Sequence, residues 1–267
     1  MDAVQLMETT KTLSIVREPR IYLVGRQTVN REAIDAFLGD HGVTWQTDTE
    51  VGAEALAEIA GRECYMSYGK GRKTNAEFLG HIVDVGHGSV LEHGVWSFLI
   101  TGVSRSFTHE LIRHRHFSYS QLSQRYVDES ESDFVEPDVI ANDPELHAVW
   151  CDAVNATRAA YDRLVAGLEK HFTETPEKTL RRKLARQAAR SVLPNATETK
   201  IFVTANARAL RHFIELRGSE HADVEIRKVA VAMLKLMQAE SPAMFADYTL
   251  VPLADGSEAT HTEHPKV

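Results

Sequence analysis

The sequence predicts an α+β fold: one central, largely antiparallel sheet with long helices packed on it, in a single domain per chain. Three observations lead there. Short apolar runs at 21–24, 95–103 and 199–204 have the length and composition of strands. Longer stretches carry apolar residues at helical spacing, above all 145–172 and 222–238. Helices outnumber strands, and the two do not alternate in the regular order that a parallel sheet requires.

Residues 1–19 show no clean period and are expected to be a loose extension; 20–254 form the domain and 255–267 a loose polar tail. The first strand is Ile21-Tyr22-Leu23-Val24. A helix follows over 53–65, with Ala53, Leu56, Ile59 and Ala60 on its apolar side. Gly69-Lys70-Gly71-Arg72-Lys73 lacks the ending of a phosphate-binding P-loop and reads as a mobile loop, a candidate lid. Thr74 caps a helix to about 85, with Gly86 past its end. The strand over 95–103 places Trp96, Phe98 and Ile100 on one face and Val95 and Leu99 on the other, as a central buried strand does. Ser104 caps a helix ending near Arg115, and the chain then runs on as a loop. The acidic stretch 127–143 reads as a surface crossing. Helices over 145–172 and 177–192, a strand over 199–204, and helices over 206–216 and 222–238 complete the domain.

At 267 residues the chain can bury roughly three quarters of its unfolded surface without staples. A net charge of −8 argues against a general nucleic-acid binder. Basic residues gather instead near 105–125 and 181–190, which points to local anion pockets. Cys64 and Cys151 do not make a disulfide framework, so a reducing cytoplasm is expected. No apolar run approaches the roughly 20 residues of a membrane span. Both cysteines read as buried structural thiols.

The densest chemistry lies in residues 113–125, which hold three arginines, two histidines and three serines and no acid. Guanidinium forks suit phosphates and carboxylates. Phe117, Tyr119 and Leu122 interleave these polar groups, as a folded wall requires and a solvated loop does not. His109 and His114 are five apart, about 140° around a helix, so they cannot share a metal as zinc-protease histidines do. No metal site is expected. Serines near His114 and His116 lack a nucleophile elbow or an orienting acid, which excludes a serine hydrolase. A single-strand nucleic-acid groove built on Arg113, Arg115, Tyr119 and Tyr126 is the rival from another class, and the acidic balance opposes it. Arg182, Arg186 and Arg190 form one helix stripe, with Arg182 and Arg186 read as a solvated face.

Arg113-His114-Arg115, followed after seven residues by Ser123, resembles the signature of the flavin-dependent thymidylate synthases, and the likeness extends over about 61–251. That resemblance implies reductive methylation of deoxyuridine monophosphate (dUMP) to thymidine monophosphate (dTMP). Methylenetetrahydrofolate would supply the carbon and NADPH would reduce FAD. No cysteine nucleophile is implied, and neither cysteine offers one. A homotetramer with shared sites is also implied, consistent with the lack of a Rossmann glycine motif. Residue by residue, the resemblance gives Ser89, Arg113, His114, Arg115, Gln121, Asn206, Ala207, Arg208 and His212 to the flavin. It gives Glu110, Leu111, Ile112, Arg113, Gln121, Leu122, Ser123, Gln124, Arg125, Arg190 and Arg217 to the nucleotide. Arg217 matches the catalytic arginine that ionises the uracil at N3; the rival role is a helix C-terminal charge partner. His87 and His93 are expected in the same pocket. Gln121 stands where glutamate is frequent, which removes a proton-transfer role there. The rival enzyme is a flavoprotein of this architecture acting on another nucleotide.

Overall fold

The computed structural model describes residues 13–267. In chain order the elements are β1 (Ile15–Val16), β2 (Arg20–Gly25), α1 (Arg31–Asp40), α2 (Gly52–Glu63), α3 (Asn75–Asp84), α4 (Gly88–Leu91), β3 (Val95–Ser104), α5 (Arg105–Leu111), β4 (Ser118–Gln121) and β5 (Phe134–Val135). They continue as α6 (Asp138–Ala141), α7 (Pro144–His171), α8 (Lys178–Ala189), β6 (Glu198–Asn206), α9 (Ala207–Arg217), α10 (Val224–Glu240), α11 (Pro242–Phe245), β7 (Thr249–Pro252) and β8 (Glu258–His261). The class is α+β. The chain divides into two compact units, one from residues up to 17 with 122–199 and one from 18–121 with 200–267.

The larger unit is built on a four-stranded sheet in the order β2-β3-β6-β4. β2 pairs antiparallel with β3, and β4 antiparallel with β6. β3 and β6 also run in opposite senses: Ser97 meets Thr204 at 2.8 Å, while the Ala207 N–H reaches back to the Gly94 carbonyl. β3 is thus central, as its two-sided apolar pattern predicts. Trp96, Phe98 and Ile100 are buried in one core with Phe213, Ile214, Val229 and Met233 from α9 and α10. Each such side chain contributes about 1.5–3 kcal/mol by leaving water. Beyond the central sheet, β1–β5 and β7–β8 make separate two-stranded pairs.

Local chemistry sets the helix ends. Thr74 and Glu77 form the reciprocal capping box of α3, and Gly86 takes the left-handed conformation (φ 72°) just past it. Several expectations need correction. Helix α1, in a stretch to which the sequence reading assigns no element, is capped by Asn30 and turns Ile34, Phe37 and Leu38 toward Trp45, Ala55 and Tyr68. The face of α2 that is buried carries Glu54, Glu58 and Arg62 as well as alanines, because Glu58 pairs with Arg62 and Glu54 accepts from Thr49, Ser241 and the Ala243 N–H. Arg62 reaches Glu58 at 2.7 Å and also the carbonyls of Ser67, Lys70 and Arg72. The 69–73 loop is therefore tied down at its backbone rather than free. After α5 the chain forms β4, not a loop, because β6 offers it a partner.

The expected loose tail is also ordered. β8 pairs with β7, and Thr260 bonds to the Gly218 carbonyl and to the Ile214 carbonyl. A Cβ on Gly218 would stand 2.0 Å from the Thr260 hydroxyl, so only glycine admits this approach. Of the N-terminal extension, 1–12 lies outside the described residues, and 15–16 form β1.

In the smaller unit α7 and α8 are the long helices, as their periods predict. Leu146, Val149 and Leu164 of α7 are exposed in this chain, whereas Tyr161 is fully buried. The acidic crossing 127–143 is only partly surface: Glu129, Phe134, Val135 and Glu136 are buried. Glu136 can be buried because Arg17 and His147 meet its two oxygens at 2.7 and 2.5 Å.

Arg211, on α9, is the most demanding buried group of the larger unit. It has no exposed surface and clasps Asp247 through two bonds of 2.6 and 2.8 Å, with a third to the Met244 carbonyl. Burial alone would raise the Asp247 carboxyl; the Arg211 hydrogen bonds and charge, aided by Thr262, outweigh it and hold the group below the usual carboxylate range. The stabilisation this pair confers is complete above the unfolded value, about 3.9, and is lost as pH falls through the lower folded value. Arg211→Met is expected to cost about 3–5 kcal/mol at pH 7, since it leaves a carboxylate without its partner. Urea unfolding of the variant measures this; a loss under about 1 kcal/mol would contradict the assignment.

Candidate active site

Helix α5 starts the site. Ser104 caps it, accepting from the Phe107 N–H, while the Ser104 N–H and hydroxyl both donate to Glu225 at 2.6 Å. The helix ends at Leu111, and a tight turn carries Ile112 to Phe117. Tyr119, the second residue of β4, closes that turn. Its hydroxyl donates to the carbonyls of Leu111 at 2.6 Å and His114 at 2.8 Å. Burial pushes the Tyr119 phenol far above its ordinary value, so it stays a donor. Within β4 the interleaving is strand alternation, with Tyr119 half-buried between exposed Ser118 and Ser120, and Tyr119 is a positioning residue that the sequence reading did not assign.

From the other side comes α9. Asn206 caps it by accepting from the Ala209 N–H at 2.8 Å, and buried Ala207 follows. Arg217, in the last turn, does not turn to its own helix end. Its Nε donates to His114 Nε2 at 3.1 Å, and its terminal nitrogens reach the Glu110 carboxylate at 2.6 Å and the Glu110 carbonyl at 3.3 Å. A bond received at Nε2 leaves the His114 proton on Nδ1. The ring is buried against Phe117 and Phe213. Burial, then the Arg217 charge and His212, push His114 down to about 4. It is neutral at physiological pH.

A cavity of about 480 Å³ opens beside this cluster. His114, His116, Phe117, Asn206, Arg208, His212 and Glu92 line it, together with Lys266 and Val267. Arg208 meets Glu92 at 2.6 Å, with both side chains about half exposed, a pair that an incoming anion can exchange. A Cβ on Gly88 would stand 2.9 Å from Arg208 Nε, so glycine gives that guanidinium its path.

The structure brings together Glu110, His114 and Arg217 as one cluster, and His114, Asn206, Arg208 and His212 as one cavity. Leu111 is buried and contributes its carbonyl; Ile112, Arg113 and Arg115 are exposed. Ser89, in α4, is exposed next to Gly88. Gln121 donates to the Thr108 hydroxyl at 3.3 Å. His87 and His93 line other cavities, contrary to the expectation of one shared pocket, because α4 turns the chain between them.

Leu122, Ser123, Gln124, Arg125 and Arg190 belong to the smaller unit. Ser123 accepts from the Arg125 N–H and its carbonyl receives Tyr126 and Val127, a compact turn. Gln124 is buried, Leu122 is half-buried and Arg190 is exposed. Arg125 has a buried Nε with no hydrogen-bond partner among the described residues. Arg186 is not the solvated residue expected; it grips the Tyr126 carbonyl at 2.7 Å and Asp128 at 2.8 Å.

Neither cysteine is buried as expected. Cys64 is exposed at the end of α2. Cys151 is half-buried, 3.5 Å from His147 Nε2. Burial, then Glu136 and Asp152, push its thiol up, away from thiolate chemistry. Among the described residues no group of three His, Cys, Asp or Glu could hold a metal ion, and no helix is long and apolar enough to cross a membrane.

Known proteins resemble this chain in sequence. The family described as Thymidylate synthase complementing protein matches residues 47–243. Flavin-dependent thymidylate synthase from Mycobacterium avium (strain 104) is 57% identical over 225 residues, 83% of this chain and 90% of that protein. The enzyme of the same name from Mycobacterium sp. (strain KMS) is 60% identical over 227 residues, 82% of this chain and 89% of its own length. That from Mycobacterium tuberculosis (strain ATCC 25177 / H37Ra) is 57% identical over 225 residues. The family match covers the α5 turn, β4 and α9 alike, and the chain belongs to the flavin-dependent thymidylate synthase family.

Proposed function

We propose that this chain methylates dUMP at C5 to give dTMP, with methylenetetrahydrofolate as carbon donor, NADPH as reductant and FAD as the resident cofactor. The observation that carries this reading beyond family membership is Arg217, docked on neutral His114 and on Glu110 beside a cation-lined cavity.

The residues present fit a flavin dinucleotide. Its pyrophosphate needs cations, and Arg113 and Arg115 are exposed with no ion pair among the described residues. Asn206, Arg208 and His212 face the cavity, and Ala207 is buried at the start of α9. We assign these residues, with His114, Ser89 and Gln121, to the cofactor. When bound and reduced, the flavin supplies the hydride, so no thiolate attack on the ring is needed. The raised Cys151 thiol and the distance of both cysteines along the chain from the signature agree with that.

Glu110, Leu111, Ile112, Arg113, Gln121 and Arg217 are assigned to the nucleotide in the larger unit; Leu122, Ser123, Gln124, Arg125 and Arg190 are assigned to it in the smaller one. Arg217 is the catalytic residue of this set. Negative charge grows along N3 and the adjacent carbonyls of uracil as C5 becomes nucleophilic, and a preorganised guanidinium stabilises it. His114 stays neutral and directs Arg217 without competing for that charge. Gln121, carrying no proton to give, binds rather than shuttles. A homotetrameric assembly and a cytoplasmic location complete the proposal.

The direct experiment supplies the flavin-loaded protein with dUMP, NADPH and methylene-labelled folate. Labelled dTMP is expected, with the folate released as tetrahydrofolate because NADPH, not the folate, provides the reducing equivalents. The Cys64→Ala, Cys151→Ala double variant is expected to turn over as well. Absence of labelled product would refute the activity, and a stable, flavin-loaded double variant without product would refute the thiol-free route.

Arg217→Lys retains a charge but cannot span His114 and Glu110 with one planar fork. It is expected to keep FAD and NADPH oxidation yet lose about a hundredfold to a thousandfold in dTMP formation. If the variant melts like the parent and makes dTMP at a near-parental rate, Arg217 is structural only.

A further inference from the structure

The segment after β7, expected to be loose, ends as a wall of the cavity. Lys266 and Val267 line it beside His114, Asn206, Arg208 and His212. Their backbone is anchored rather than draped. The Lys266 N–H donates to Glu215 at 2.9 Å, and the Val267 carbonyl receives Arg211 Nε at 3.1 Å. Arg211 is itself locked onto Asp247, which also receives the Thr262 hydroxyl. Lys266 holds a left-handed backbone conformation, φ 67°, which a residue with a Cβ adopts only where its surroundings impose it.

All of this fixes the Lys266 backbone and leaves its side chain over. The ammonium is exposed and has no ion pair among the described residues. The single acid among the residues lining this cavity, Glu92, is already paired with Arg208. A lysine held in place by its main chain, its ammonium without an ion pair beside the cavity, is suited to an anionic ligand.

Resting on the proposed flavin dependence, we infer that Lys266 is a cofactor-binding residue whose ammonium takes an anionic group of the dinucleotide. The tether through Glu215 and Arg211 makes α9 the support both for the cavity's own Arg208 and His212 and for this ammonium.

The experiment titrates flavin-stripped protein with FAD and follows binding by flavin fluorescence, for the wild type and for Lys266→Ala, Lys266→Gln and Lys266→Arg. One ammonium–phosphate contact at an open site is worth about a fivefold change in affinity. Both neutral variants are expected to bind about that much more weakly and with a shallower salt dependence, and Lys266→Arg to recover most of the loss. Because the side chain carries none of the anchoring bonds, all variants are expected to melt like the parent. Neutral variants that bind FAD as tightly as the wild type would make Lys266 a solvent-facing side chain; tighter binding would mean that the segment occludes the cavity. Either result overturns the inference while flavin dependence stands. A wild type that binds no FAD would remove the functional proposal and this inference together.

Discussion

Arg217 is the constraint on which the larger unit's site depends. One planar group reaches the Glu110 carboxylate, the Glu110 carbonyl and the His114 ring, and so joins the end of α9 to the end of α5. His114 is buried, so its Nε2 draws its hydrogen bond from Arg217, while Glu110 keeps part of its side chain in solvent. The supports run outward from there. Tyr119 holds the turn that carries His114, and Glu225 holds the start of α5. Asn206 begins α9, and buried Arg211, one turn and a half before Arg217, fixes its inner face.

Buried charge recurs as the organising device. Arg211 with Asp247, Arg62 with Glu58, and Glu136 with Arg17 and His147 each place an ion in an interior that would reject it alone. Such pairs add little over an apolar core but are costly to break, so they specify one arrangement of helices and loops. In this chain they do so beside the cavity and at the 69–73 loop. Arg211 fixes the wall of the cavity, and Arg62 holds the glycine-rich loop by its carbonyls. Arg113, Arg115, Arg190 and Lys266 stay exposed, with no ion pair among the described residues.

The regular elements were legible because their causes are local. The two-sided apolar run of β3, the capping box at Thr74 and the caps at Ser104 and Asn206 can all be read from neighbouring residues. The site was legible to the extent that a resemblance carried it, since Arg217 lies more than a hundred residues from His114 along the chain. What escaped were features set by distant partners. β4 exists because β6 offers it a partner edge. The ordered tail depends on Gly218 admitting Thr260, and Arg186 is drawn out of solvent by the Tyr126 carbonyl and Asp128. Charged residues at buried positions, such as Glu54 and Arg62, also defeat a reading by apolar periodicity.

The central claim is that Arg217 is aimed by a neutral His114 protonated on Nδ1. Nitrogen-15 NMR of histidine-labelled protein tests it most directly. A buried imidazole next to a guanidinium has its charged form disfavoured, so its titration moves down from about 6.5 and the neutral ring is retained until strongly acidic pH. The His114 signals are expected to show the Nδ1–H tautomer and to stay flat between pH 8 and 5, with protonation only near 4. A midpoint near 6.5, or the Nε2–H tautomer, would mean that Nε2 accepts nothing from Arg217, and would contradict the account.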